Sequence, residues 1–284
     1  MPVQRIGILH PGQMGIVVAV TAKNSGNEVY WASEGRSKVT RERAAEAGLN
    51  DSVTLARLCE ICPIIVSVCP PEFADDLANR VLQHSFSGIY IDANAISPER
   101  AARIGRRMEE HGVQFVDGGI VGPPARARGR TWLYLSGKSA GAVAACFSAG
   151  PIEIEVIGDR PGKASALKMC FAAYTKGSTA LLCSILAAAD QLGVLEDLRR
   201  QWTRNGPSFP DVAQSIAQAA PKAWRFVSEM HEIAATLQAA GMPPEFHRAA
   251  AEVYEMLRDF KDSGEPSLEE VLRKLSLGAR QEQI

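Results

Sequence analysis

The chain has 284 residues, 46% of them hydrophobic and 22% charged, which is ordinary for a globular protein but long for a single hydrophobic core. Its 31 lysines and arginines nearly balance 32 acids, and no aromatic-plus-basic stripe is present, so a nucleic-acid partner is not expected. The apolar stretch before Gly12 is too short for a signal peptide. The longest apolar run, Gly177 to Ala189, falls short of the ~20 residues of a bilayer span, so a cytoplasmic protein with no membrane partner is expected.

Strand and helix patterns alternate through the first half. Arg5 to Leu9 reads as a buried strand, and His10-Pro11-Gly12-Gln13-Met14-Gly15 then opens an apolar helix that ends at Gly26. Glu28 to Ala32 is a second strand, Thr40 to Ala47 is helical, and Ile64 to Val68 is a β-branched run of the kind buried on both faces. A helix from Glu72 to Gln83, a strand from Gly88 to Asp92, a helix from Pro98 to Gly112 and strands at Gln114 to Asp117 and Thr131 to Ser136 complete this half. The alternation predicts a parallel, doubly wound α/β sheet.

The pattern changes near Gly162. One long helix is expected from Ala164 to Leu192, then helices at Val212 to Ala219, Lys222 to Ala240, Glu245 to Asp259 and Ser267 to Leu275, separated by Pro/Gly joints. The expected organisation is a Rossmann domain over residues 1–160 and an all-α domain over residues 161–284.

The six cysteines do not suggest disulfides. Cys69, Cys146, Cys170 and Cys183 lie in apolar sequence, and the Cys59/Cys62 pair, with no second CxxC, reads as a helix end packed on a core. His10 has no neighbouring His, Cys or Asp, so no metal site is expected.

A dinucleotide-binding turn needs glycines where the first strand meets the first helix, so that a pyrophosphate can approach backbone N–H groups at the helix N-terminus. Gly12 and Gly15 occupy the second and third glycine positions of GxGxxG, and His10 stands at the first. On the long helix, Ser165, Lys168, Thr175 and Thr179 fall within about 60° of one another at ~100° per residue, a polar stripe among apolar faces. A lysine in such a setting can pass a proton to the atom that receives a hydride.

Several collinear segments resemble the β-hydroxyacid dehydrogenases, the superfamily of 6-phosphogluconate and 3-hydroxyisobutyrate dehydrogenases. They are His10 to Gly15, Cys69-Pro70-Pro71, the segment from Asp92 through Asn94 to Pro98, and Gly162-Lys163-Ala164 with Lys168. Asp117-Gly118-Gly119-Ile120-Val121-Gly122-Pro123 with the following Arg-rich stretch is closest to an uncharacterised subgroup and is also similar to imine reductases. The resemblance implies NAD(P) held by His10, Pro11, Gly12, Gln13, Met14, Cys69, Pro70, Pro71 and Asn94, with Lys168 as the catalytic residue. It places substrate near Gly118, Gly119, Val121, Ala172 and Thr175, and it implies a homodimer.

The chain departs from the family where a substrate-binding serine is replaced by Val121 and an asparagine after the lysine by Ala172. The lost serine, with the segment Asp117 to Ile120, leaves an imine reductase open, and the missing glycine at His10 with Ala172 leaves a non-catalytic nucleotide sensor.

Cofactor choice turns on the end of the second strand. Ser33, Arg36 and Ser37, with Lys38, can surround a 2′-phosphate, whereas Glu34 would favour NAD; NADP is expected over NAD. His231, where the resemblance places a lysine near the nicotinamide, is a further candidate cofactor contact. His84, His111 and His247 read as surface residues.

Overall fold

The computed structural model describes residues 2–261 and 263–281. The chain divides into two compact units, Met1–Met169 and Cys170–Ile284.

In chain order the first unit contains β1 (Arg5–Ile8), α1 (Gly15–Asn24), β2 (Glu28–Trp31), α2 (Lys38–Glu46), β3 (Asn50–Asp51), α3 (Leu55–Ile61), β4 (Ile64–Ser67) and α4 (Ala74–Leu82). It continues with β5 (Ile89–Asp92), α5 (Pro98–Glu110), β6 (Gln114–Val121), β7 (Trp132–Ser136), α6 (Ala140–Ala145), β8 (Glu153–Gly158) and the start of α7 (Lys163–Gln191). The eight strands form one sheet in the order β3-β2-β1-β4-β5-β6-β7-β8.

The order reverses between β1 and β4, and at such a switch point the carboxyl ends of the parallel strands open a ligand crevice. Alternation along β4 explains the two cores. Ile64 and Val66 join Ile8, Val18 and Phe147 on one face, and Ile65 joins Leu58, Tyr90 and Met108 on the other. Each fully buried aliphatic side chain contributes ~1.5–3 kcal/mol relative to exposure, which is what holds helices on both faces of this sheet.

Two features differ from the sequence expectation. The sheet is mixed, because β7 runs antiparallel to β6 and β8 parallel to β7. Moreover, β6 continues through Gly118, Gly119, Ile120 and Val121, since β7 pairs with them and extends the ladder. Three elements had no clear signature: β3 is two residues long, α6 spans six, and β8 mixes exposed Glu155 and Val156 at the sheet edge.

The second unit contains the remainder of α7, then α8 (Leu195–Asn205), α9 (Phe209–Ala219), α10 (Ala223–Ala239), α11 (Glu245–Met256) and α12 (Leu268–Gln281). Helix α8 was not expected; Leu195, Leu198 and Trp202 share one face of it but are only partly buried. Phe226 of α10 meets Tyr254 of α11 edge-to-face at 5.2 Å, and the Tyr254 hydroxyl donates to the Lys176 carbonyl at 2.7 Å.

His247 is buried, not a surface residue; its ring lies against α7, with Nε2 3.2 Å from the Ala173 carbonyl. Lys176 is likewise drawn in, by an ion pair to the buried Glu229 and by the Phe226 ring 4.7 Å below its ammonium.

By length and composition α7 could cross a bilayer, having 29 residues and an 18-residue window of mean hydropathy 1.2. The helix carries Lys163, Lys168 and Lys176, so its longest uninterrupted apolar run remains Gly177 to Ala189. All six cysteines are free, and Cys59 and Cys62 are buried at the end of α3, where burial pushes both thiols up to about 12.

Candidate cofactor and catalytic site

The turn between β1 and α1 is tight at one glycine and open at the other. A Cβ on Gly15 would lie 1.9 Å from the His10 carbonyl oxygen, so only glycine lets α1 begin there. A Cβ on Gly12 would meet nothing within 4 Å, so packing does not explain that glycine. The open space leaves room for a pyrophosphate to approach the backbone, so the residues present fit a dinucleotide.

Two arginines steady the turn from behind. Arg36 donates to the Leu9 carbonyl and Arg43 to the Pro11 carbonyl, both at 3.3 Å. His10 is partly buried, and its Nδ1 has no hydrogen-bond partner. Burial, with the charges of Arg36 and Arg80, lowers its pKa to about 4, so His10 is neutral at physiological pH.

Arg80 of α4 was not expected at the site. It shares with Arg36 a cavity of about 20 Å³ walled by Leu9, Ala32, Leu55 and Leu77, with Glu34 at its edge. Burial and the nearby Arg80 charge both lower the pKa of Arg36, whose Nε is buried without a partner. Two guanidiniums converging beside an apolar slot can hold a phosphate next to a flat ring. Ser33 is buried at the end of β2, whereas Ser37 caps α2 by accepting from the Thr40 N–H at 3.3 Å.

Asn94 latches the ends of β4 and β5. It accepts from the Cys69 N–H at 2.6 Å and donates to the Ser67 hydroxyl at 3.0 Å, so its amide positions the loop of Cys69, Pro70 and Pro71. Asp92 accepts from the Asn94 N–H at 3.0 Å, but its second carboxylate oxygen is buried with no partner. Burial, reinforced by the neighbouring Asp117, raises the Asp92 pKa to about 7.

Asp117 caps α7. Its carboxylate accepts from the N–H groups of Gly162, Ala164 and Ser165 at 2.9, 2.9 and 3.0 Å, and from the hydroxyls of Ser136 and Ser165 at 3.0 and 2.6 Å. A negative group satisfying otherwise orphaned N–H groups at a helix start fixes both the position and the rotation of its first turn.

That turn lies on Gly119, where a Cβ would come within 2.5 Å of the Ala164 carbonyl oxygen and 3.3 Å of the Lys168 Cβ. Lys168 is thereby held, partly buried, over the glycine segment of β6. Gly118 is packed in turn against Ala93 and the Asp92 carbonyl, and Val121 is half-buried at the end of the strand.

In the second unit, Ala172 is buried and Thr175 turns its hydroxyl back to the Phe171 carbonyl at 3.2 Å. His231 is exposed on α10. The structure therefore brings the turn, the Arg36 cavity, the Cys69 loop and Lys168 into one unit, and it carries Ala172, Thr175 and His231 in the other. Among the described residues, no group of His, Cys, Asp and Glu side chains is arranged to hold a metal.

Residues 5–149 match the family described as the NAD binding domain of 6-phosphogluconate dehydrogenase, and residues 189–257 match a domain of unknown function, DUF1932. A solved structure of a conserved protein of unknown function, described as similar to 3-hydroxyacid dehydrogenases, is 31% identical; the match covers 90% of this chain and 97% of that one, with a TM-score of 0.66.

Two more distant structures share the fold. A 3-hydroxyisobutyrate dehydrogenase from Salmonella typhimurium is 18% identical over 95% of this chain and 99% of its own, with a TM-score of 0.67. An imine reductase from Streptomyces aurantiacus is 16% identical over 95% and 99%, with a TM-score of 0.54. The chain belongs to the family with the 6-phosphogluconate dehydrogenase NAD-binding domain.

Proposed function

We propose that the chain is an NADP(H)-dependent oxidoreductase acting on a small hydroxy acid, carbonyl or imine compound, with Lys168 exchanging the proton that accompanies hydride transfer. The observation that carries this reading is the seat of Lys168 above Gly119, on a helix start fixed by Asp117. When bound, the nicotinamide supplies or accepts the hydride. The chain's own part is to leave the turn open at Gly12, to meet a 2′-phosphate with Arg36 and Arg80, and to hold an ammonium at the carboxyl end of β6.

The alternative of an imine substrate is favoured by Val121, which offers no hydroxyl to a substrate carboxylate where the resemblance implies a serine. A homodimer is proposed from α7, whose exposed Phe171, Tyr174, Leu181 and Ile185 recur at helical spacing and present an apolar face.

Oxidation of NADPH and NADH by the purified protein, screened across carbonyls, imines and hydroxy acids in both directions, tests the reading. Turnover with preference for NADPH supports it. Tight NADPH binding without turnover of any class would replace it with the nucleotide-sensor alternative.

A further inference from the structure

The connection from β6 to β7 carries Arg126, Arg128 and Arg130, and the three are not equivalent. Arg128 is taken by Glu153 of β8 in a two-point pair at 2.9 and 2.7 Å. Arg126 and Arg130 are exposed, and among the described residues neither forms an ion pair or a side-chain hydrogen bond.

Their backbone is nevertheless tied down. Ala125 is buried in the core, the Thr131 hydroxyl donates to the Pro123 carbonyl, and Gly122 turns at φ +116 with its Cβ position 2.3 Å from the Arg130 carbonyl oxygen. The loop therefore presents two uncommitted guanidiniums from an anchored base.

Their position gives those charges a use. In register, Asp92 ends β5 opposite Asp117, while β6 runs on to Val121, so the connection leaves from the carboxyl end of the parallel strands. Val121 is two residues past Gly119, ~7 Å along the strand at ~3.3 Å per residue, and Gly119 lies under Lys168. The Val121 side chain offers no donor to an oxyanion. A charged substrate group held near this end would have to be met by another cation, and the guanidinium fork matches carboxylate and phosphate oxygens.

Accordingly, we propose that Arg126 and Arg130 form an oxyanion-binding arm, which recognises a carboxylate or phosphate on the substrate away from the reacting carbon. The assignment rests on the oxidoreductase reading of Lys168, and it narrows the substrate class to anionic compounds. Specificity then comes from this loop and not from the strand position occupied by Val121.

The test is calorimetric titration of sodium succinate, and separately of sodium phosphate, into NADPH-saturated protein. Wild type is compared with Arg126→Gln, Arg130→Gln and the double variant. The expected result is binding of at least one anion by wild type, weakened tenfold or more in the double variant, with NADPH affinity and melting temperature unchanged. Succinate as the better ligand would indicate a carboxylate substrate, and phosphate a phosphorylated one. Equal affinities in wild type and double variant, or no binding of either anion to wild type, would overturn the arm. Failure of wild type to bind NADPH would count instead against the cofactor reading, and the same titrations of unloaded protein would still test the arm.

Discussion

Asp92 and Asp117 stand in register on adjacent parallel strands, both buried, yet only Asp117 is fully satisfied by hydrogen bonds. Asp117 stabilises the start of α7 by capping its first N–H groups. Asp92, beside it, has an oxygen with no partner and a pKa raised by burial to about 7. The folded protein thus retains the Asp92 proton through the range in which an unfolded aspartate, with a pKa of ~4, has lost it. The associated stability is complete below pH ~4 and is lost as pH rises through about 7.

Asp92→Asn keeps the shape and cannot ionise. The variant is expected to show a flatter melting temperature between pH 5 and 8, and to gain on wild type at the alkaline end. Parallel pH curves for the two proteins would show that Asp92 does not titrate in this window.

The two glycines of the nucleotide turn should respond in opposite ways. Gly12→Val places its side chain in open space, so the fold should persist while NADPH affinity falls at least tenfold, ~1.4 kcal/mol. Gly15→Ala drives a Cβ against the His10 carbonyl and should lower the melting temperature by several degrees. Calorimetry and thermal unfolding separate the two effects, and unchanged NADPH affinity in Gly12→Val would remove this turn from the cofactor site.

Cofactor discrimination should reside in the pair of guanidiniums. Arg36→Ala and Arg80→Gln are each expected to weaken NADPH about tenfold and NADH little, because only NADPH carries the phosphate they would meet. Equal losses for both cofactors, or a wild-type preference for NADH, would transfer control of the site to Glu34.

The parts of this account legible in the sequence are those written locally. The β1 strand, the glycine turn and the apolar α1 follow one another without a break, and the long helix with Lys168 announces itself by its length. What was not legible depends on contacts between separate elements. Arg80 reads as an ordinary surface residue of α4 until the fold sets it beside Arg36. Asp117 reads as the first residue of a substrate loop, but its partners Gly162, Ala164 and Ser165 lie 45 to 48 residues away in sequence. Asn94 is expected at the cofactor on resemblance alone, and its amide's hold on the Cys69 loop and Ser67 shows only in the fold. The two strands of the β6–β7 hairpin are legible, but not the extension of β6 past Asp117, because a glycine-rich segment carries no strand signature of its own; the antiparallel partner makes it a strand.

The central claim is that Lys168 exchanges the proton during hydride transfer, and Lys168→Met tests it most directly. Methionine keeps an unbranched chain and good helix propensity while removing the charge, and the Asp117 cap on α7 is untouched. Measured on the best substrate from the carbonyl, imine and hydroxy-acid screen, kcat should fall by ~10²–10⁴ with NADPH affinity nearly unchanged. A raised KM with kcat intact would make Lys168 a substrate anchor, and a wild-type rate in the variant would contradict its role as the proton donor.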